Sequence, residues 1–207
     1  MAAKITTKER ILDLLKRQGS VTVNELTDHL SISHMAVRKH LDSLQKDNII
    51  SSKEIKQPIG RPLQMYLLTD TGDNLFPKNY EGLTLEILED MKELYGEDSI
   101  QKLFQKREER LTSEYTKRLA KKTNKEKIHE IATIQNEKGY MADVTEIDAQ
   151  TFELIEYNCP IMVVANEFKT ACQCETNLFK NVLGTKDVRR VSCKTDGNDH
   201  CKFLIQV

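Results

Sequence analysis

All five cysteines of this 207-residue chain fall in its last quarter: Cys159, Cys172, Cys174, Cys193 and Cys201. Thiolates are soft metal ligands and strong nucleophiles, so their clustering raises metal or iron–sulfur binding on one hand and thiol catalysis on the other. An odd number of thiols argues against a disulfide framework. Two of them flank a turn in "SCKTDGNDHC", residues 192–201. A two-residue turn at Asp196-Gly197 would set Cys193 against His200. A three-residue loop over Asp196, Gly197 and Asn198 sets Cys193 against Cys201 and gathers Val191, Cys193, Cys201, Phe203, Ile205 and Val207 on one face. Side chains alternate along a strand, so the shared apolar face selects the second register. Asn198 is then expected in the left-handed position of the loop.

"CQC" at 172–174 resembles a chelating pair, but residues two apart on a helix point about 200° away from each other. Cys172 shares a face with Ala165, Phe168 and Phe179, the side expected to meet a sheet, and Cys174 faces elsewhere as a reserve ligand. Pro160 biases Cys159 toward an extended shape where a strand hands over to that helix. Cys159, Cys172, Cys193 and Cys201 thus come from three elements around one small core. Four thiolates suit an iron–sulfur cluster, [4Fe-4S] among them, or a tetrahedral zinc ion. Buried cysteines that merely line a core are the plain alternative. For catalysis a thiol needs a general base and a group to orient it. His200 neighbours Cys201 but faces the other way along a strand, and "IHEIA" lacks the second histidine of a zinc protease. The expectation is a protein that is not an enzyme.

The elements that carry these residues follow an order of their own. "KITTKERILDLLKRQ", stopped by Gly19, and "TVNELTDHL" read as two short helices. "SISHMAVRKHLDSLQKD" reads as a third, capped by Ser33 and ended at Asn48 in a left-handed conformation. "IISSKEI" and "LQMYLLT" pair as a hairpin around the exposed tip "KQPIGRP", and Thr69 caps a further helical turn. Three helices and a hairpin make a winged helix-turn-helix, whose second turn helix enters a major groove. Ser33, His34, Met35, Arg38 and Lys39 are the expected base- and phosphate-facing residues there. Lys53, Lys56 and Arg61 arm the wing, with Arg61 suited to a narrow minor groove. Double-stranded DNA is therefore the expected partner. Net charge is only −1, so contact must come from this local patch rather than from bulk attraction.

From Leu83 to Ala120 the chain is helical, with a seam of Ile100, Leu103, Phe104, Leu111, Tyr115 and Leu119 that must pack on a partner helix, in cis or from a second subunit. "KRLAKKTNKEK", 117–127, is a solvated helix end or a phosphate patch. After Gly139, "YMADVTEI" and "TFELIEY" pair as strands, residues 161–183 form one helix stopped by Gly184, and "VRRVSCK" and "HCKFLIQV" make the last hairpin. The predicted fold is α+β: a winged helix-turn-helix over 1–80, long helices over 81–138 that link and dimerise, and a small cysteine-containing α+β domain over 139–207. No apolar run approaches a membrane span and the first residues lack a signal-peptide core, which predicts a cytoplasmic protein.

"LSISHMAVRKHLDSLQKDNII", "GRPLQMYLLTDTGDNLFPKNY", the stretch beginning "NCPI" and the late "G…C.F.I" resemble the SufR-type regulators of the DeoR-like winged-helix group. The resemblance implies a homodimeric repressor that carries an iron–sulfur cluster and controls cluster-assembly genes. It places family cluster cysteines at Cys159, Cys172 and Cys201. A further cysteine of some relatives falls at Lys186, and Cys193 stands where many have histidine. Cys193 is then the fourth ligand, with Cys174 or a non-cysteine group behind it.

Overall fold

A computed structural model of the protein describes residues 5–207, in two compact units that divide between Lys78 and Asn79. The first unit is a winged helix-turn-helix. Helix α1, Thr7–Gln18, and α2, Val23–Leu30, each begin at a capping box, Thr6 with Glu9 and Thr22 with Glu25, in which the hydroxyl accepts from the backbone and the carboxylate accepts in return. Ser31 turns the chain in a left-handed conformation and Ser33 caps α3, His34–Lys46. Strands β1, Ile50–Ile55, and β2, Leu63–Leu68, pair antiparallel from Ile50–Leu68 to Ile55–Leu63. Val21 bridges Tyr66 beside them, and Thr69 caps α4, Asp70–Asp73. Asn48 takes the expected left-handed turn, φ 54°. Ile11, Leu15, Leu26, Val37, Leu41, Leu44, Ile50 and Tyr66 close one core, so the apolar side of α3 is spent on docking and its other side faces outward.

The second unit begins with three helices: α5, Tyr80–Tyr95; α6, Glu97–Leu119; and α7, Asn124–Glu137. Strands β3, Ala142–Glu146, and β4, Thr151–Glu156, follow. Then come α8, Met162–Glu167, and α9, Thr170–Leu183, and finally β5, Val188–Ser192, and β6, Cys201–Gln206. The antiparallel sheet has the order β3-β4-β6-β5. Its inner face, with Phe152, Leu154, Phe203 and Ile205, packs under α7 and α9, where Phe179 meets Phe203 edge-on at 5.0 Å. Residues 81–138, read from the sequence as a segment of their own, fold into this unit. Leu111, Tyr115, Ile128 and Ile131 share its core, and the seam of α6 is covered in cis. Leu103 lies off that seam, 39% exposed. Arg118 with Glu130 and Glu137, Lys122 with Glu130, and Lys125 with Glu146 tie the 117–127 run to its own unit.

The single helix expected over 161–183 is two. It breaks at Phe168, which buries its ring against Phe104 (centroids 6.5 Å apart) before α9 continues along the sheet. The last hairpin also departs from expectation. Pairing runs Val188–Ile205 and Arg190–Phe203, then shifts to Ser192–Lys202, a β-bulge centred on Val191. The bulge inverts the alternation, so Val188 is buried and Val191 is 50% exposed, outside the face assigned to it. The connection is longer than three residues. A 3-10 turn, Lys194–Asp196, ends at Gly197 with φ 89°, so glycine and not Asn198 takes the left-handed position.

Gly72 lies so close to the first strand that a Cβ would fall 2.1 Å from the Ile49 carbonyl oxygen. Gly72→Ala should therefore destabilise the protein by about 1–3 kcal/mol, the range for overpacking, read as a lower urea midpoint of the full chain. An unchanged midpoint would show that β1 yields freely there.

Candidate functional site

On the first unit, the helix-turn-helix leaves Ser33, His34, Met35, Arg38 and Lys39 exposed along the start and outer side of α3. Ser33 also accepts the Ala36 amide at 3.3 Å, so its hydroxyl is committed to the cap. The wing presents Lys53, Lys56 and Arg61, all exposed, beside Gly60, whose φ of 103° only glycine adopts easily. Among the described residues, Arg38, Lys39, Lys53, Lys56 and Arg61 take part in no ion pair, whereas Lys8, Lys16 and Arg17 of the same unit pair with Asp47, Asp73 and Asp13. Five cations without carboxylate partners, on one helix and one hairpin, form a patch able to take phosphates.

In the second unit, α9 and the β5–β6 hairpin bring three thiols into a row. Cys193 Sγ lies 3.9 Å from Cys172 Sγ and 4.0 Å from Cys201 Sγ. Past the bulge, Cys193 and Cys201 are both buried, while Cys172 is half-buried at the edge of an open cleft of about 390 Å³. Lys169 donates to the Thr195 carbonyl (2.5 Å) and to Asp196 (2.8 Å), pinning the connection to α9. Cys159 is half-buried ahead of α8 and within electrostatic reach of Cys193. Cys174 points away, buried among Ile100, Phe104, Ala165 and Phe168 and hydrogen-bonded to Glu108. Among the described residues, no three His, Cys, Asp or Glu side chains surround one point closely enough for a single ion. His200 lies outside the row, its ring 6.1 Å from that of Tyr157.

The row is organised by residues the sequence reading left out. Arg190, brought inward by the bulge, donates to Glu175 (2.7 Å), to the Cys172 carbonyl (2.9 Å) and to Cys193 Sγ (3.4 Å), and its guanidinium lies 4.6 Å from the Phe203 ring centre. Gln135 donates to Glu156 (2.6 Å) and accepts from the Tyr115 hydroxyl (2.6 Å). Burial raises the Glu156 pKa, and the neighbouring Glu175 charge raises it further. A signal for Glu156 was present in "TFELIE", where it occupies the inward parity of Phe152 and Leu154. None marked Arg190, because strict alternation puts it outside.

The thiols are not equivalent. Burial pushes Cys172 up to about 11 and Cys201 to about 12. Burial would raise Cys193 too, but the Thr195 hydroxyl at 3.2 Å and the Arg190 guanidinium outweigh it and lower its pKa to about 7. Cys193 is thus the most readily ionised thiol of the row, and the thiolate is the form a metal or cluster takes.

Residues 8–52, from α1 into β1, match the DeoR-like helix-turn-helix domain. The lactose phosphotransferase system repressor of Lactococcus lactis subsp. lactis is 44% identical over 43 residues, 21% of this chain and 17% of that protein. The chain thus matches about a sixth of that relative's length. Similar solved structures include the adhesin competence repressor AdcR from Streptococcus pyogenes, at 24% identity over 48% of this chain and 75% of that chain, with TM-score 0.31. Bacillus subtilis PadR in complex with operator DNA is another, at 19% identity over 65% of this chain and 92% of that chain, with TM-score 0.30. Scores this low carry no functional weight.

The metal-free chain should show one thiolate titrating near pH 7, by absorbance near 240 nm, lost in Cys193→Ser and moved to higher pH in Arg190→Met. Because the folded pKa is depressed, this group's stabilisation is full above the ordinary thiol pKa and is lost as pH falls through about 7. Stability flat across that interval would contradict the assignment.

Proposed function

We propose that the protein is a DNA-binding transcriptional repressor whose second unit holds an iron–sulfur cluster and adjusts DNA binding to cluster status. The DNA part rests on the DeoR-like match together with the unpaired basic face of α3 and the wing. In this reading Arg38 grips a base edge, while Lys39, Lys53, Lys56 and Arg61 meet phosphates. Cluster-assembly genes are the expected targets by resemblance.

The observation that carries the sensor part is the row Cys172–Cys193–Cys201, with the Arg190 guanidinium 3.4 Å from Cys193 Sγ. The donor types suit the group: soft thiolates from α9, from the hairpin connection and from β6, Cys159 ahead of α8, and Arg190 to offset anionic charge. Cys159, Cys172, Cys193 and Cys201 would hold it, and it would supply an oxygen- and redox-sensitive link between those elements. Without that link, the hairpin connection rests on Lys169 and the Arg190 bonds. Because α8 and α9 pack on α5 and α6, a shift of the cysteine-bearing elements reaches α5.

Helix α5 is where a homodimer would form. It has no fully buried residue, and Tyr80, Leu83, Ile87 and Leu94 make an exposed stripe at three-, four- and seven-residue steps. Such a seam pairs with its own copy across a two-fold axis. Cluster occupancy then biases the pairing of two winged helices on adjacent half-sites. A structural zinc is the second reading, favoured by one observation: with Zn–S bonds of about 2.3 Å, tetrahedral sulfurs stand about 3.8 Å apart, close to the 3.9 and 4.0 Å seen here.

On a duplex selected from random sequence, the full chain should protect two half-sites about one helical turn apart, or a multiple of that. Its affinity should fall steeply as salt rises from about 50 to 200 mM. Arg38→Ala should weaken binding by about 1–3 kcal/mol. Anaerobic reconstitution with ferrous iron and sulfide should change the affinity of the same preparation. Salt-independent binding would remove the DNA reading, and equal affinity with and without the cluster would remove the sensor.

A further inference from the structure

The central thiol of the row has two neighbours, and their surroundings differ. Cys193 Sγ is 3.9 Å from Cys172 Sγ and 4.0 Å from Cys201 Sγ, so distance alone does not choose between them. Access does. Among the described residues, the wall of the open cleft of about 390 Å³ includes Cys172, Cys193, Lys169, Arg190 and Thr195 but not Cys201. Cys172 is half-buried there, whereas Cys201 is 4% exposed and its sulfur accepts the Lys194 amide at 3.4 Å. A small oxidant entering the cleft therefore meets Cys172 first, with Cys193 next to it.

The elements that carry these two thiols are already fastened together on both sides of the pair. Arg190 donates to the Cys172 carbonyl at 2.9 Å and to Cys193 Sγ at 3.4 Å. Lys169, at the start of α9, donates to the Thr195 carbonyl at 2.5 Å and to Asp196 at 2.8 Å. The Thr195 hydroxyl stands 3.8 Å from Cys172 Sγ and 3.2 Å from Cys193 Sγ. A disulfide holds its sulfurs about 2 Å apart, so closing this pair asks for a further approach of about 2 Å between elements that cannot drift apart. Cys174, two residues on, is turned into the apolar cluster of Ile100, Phe104 and Phe168 and takes no part.

We infer that in the metal-free chain Cys172 and Cys193 form a peroxide-reactive pair that closes to an intramolecular disulfide across the mouth of the cleft. Hydrogen peroxide transfers one oxygen to the Cys172 sulfur, giving a sulfenic acid and one water. The Cys193 sulfur then attacks the Cys172 sulfur. The S–S bond forms, the S–O bond breaks, and the departing hydroxyl leaves as a second water with the Cys193 proton. Two thiols lose two electrons in all, and one peroxide becomes two waters. The pair stands whether or not the row binds metal, and it goes beyond the sensor reading by giving the empty site a chemistry of its own. While the disulfide is closed, neither sulfur is free to bind a metal or a cluster, so refilling the site would first require a thiol reductant.

The test uses the full chain, metal-free and fully reduced, exposed to hydrogen peroxide with air excluded. Free thiols should fall by two from the initial five and return on treatment with dithiothreitol, the chain remaining unlinked to other copies on a non-reducing gel. Tryptic digestion should join TACQCETNLFK, residues 170–180, to VSCK, residues 191–194, with fragmentation placing the bond on Cys172. Cys174→Ser should keep this bond. Cys193→Ser should stop at a Cys172 sulfenic acid that dimedone traps. Because the peptide mapping is done on the wild type, it does not depend on any variant folding. A bond from VSCK to TDGNDHCK, residues 195–202, would move the pair to Cys193 and Cys201 and overturn the inference. Survival of all five thiols, or bonds between chains in place of one within the chain, would overturn it as well.

Discussion

A guanidinium buried in a small sheet is the constraint from which the second unit takes its order. Arg190 reaches the interior only because the chain slips one residue at Val191, and once inside its charge must be matched, since an unmatched buried charge is far more costly than a surface one. It finds a carboxylate and a carbonyl on α9, an aromatic face on β6, and a sulfur on its own strand. Those contacts bolt the last hairpin to the helix that carries Cys172. They also favour the thiolate form of Cys193 at the centre of the row. The same bulge returns Cys193 to the inner face, so the inverted strand parity and the gathered thiols have one cause.

Much of the architecture was legible because it depends on local rules. Ser33, Thr69, Gly19, Gly184 and Asn48 mark their caps and turns by residue type alone, and the structure has helix ends at each. The juxtaposition of Cys193 and Cys201 was also readable, although for a partly mistaken reason. The pairing of Ser192 with Lys202 belongs to the expected register, but the residues before it do not. A bulge leaves no composition signal in "VRRVSCK", and without it Arg190 reads as a solvent-facing charge. The break at Phe168 was hidden likewise, since no Gly or Pro lies between Met162 and Leu183 to mark it, and the ring at the break meets Phe104 from a distant helix. Side chains that act through a network, such as Gln135 between Tyr115 and Glu156, come from three elements and have no spacing to betray them.

The two units use charge in opposite ways. On the first, five cations stand without carboxylate partners on an exposed face, where phosphates would be the counter-charge. In the second, one cation is turned inward and met by Glu175, the Cys172 carbonyl and Cys193 Sγ. Helix α5, apolar on a side that its own chain leaves uncovered, is the element on which the two halves of that account would meet.

The most direct measurement is a single analysis for iron, acid-labile sulfide and zinc on the full chain purified without exposure to air. The account predicts a brown protein with broad visible absorption, iron and sulfide in comparable amounts and little zinc, all lost in Cys193→Ser. Colourless protein carrying stoichiometric zinc without sulfide, or the same iron and sulfide content in Cys193→Ser, would contradict it.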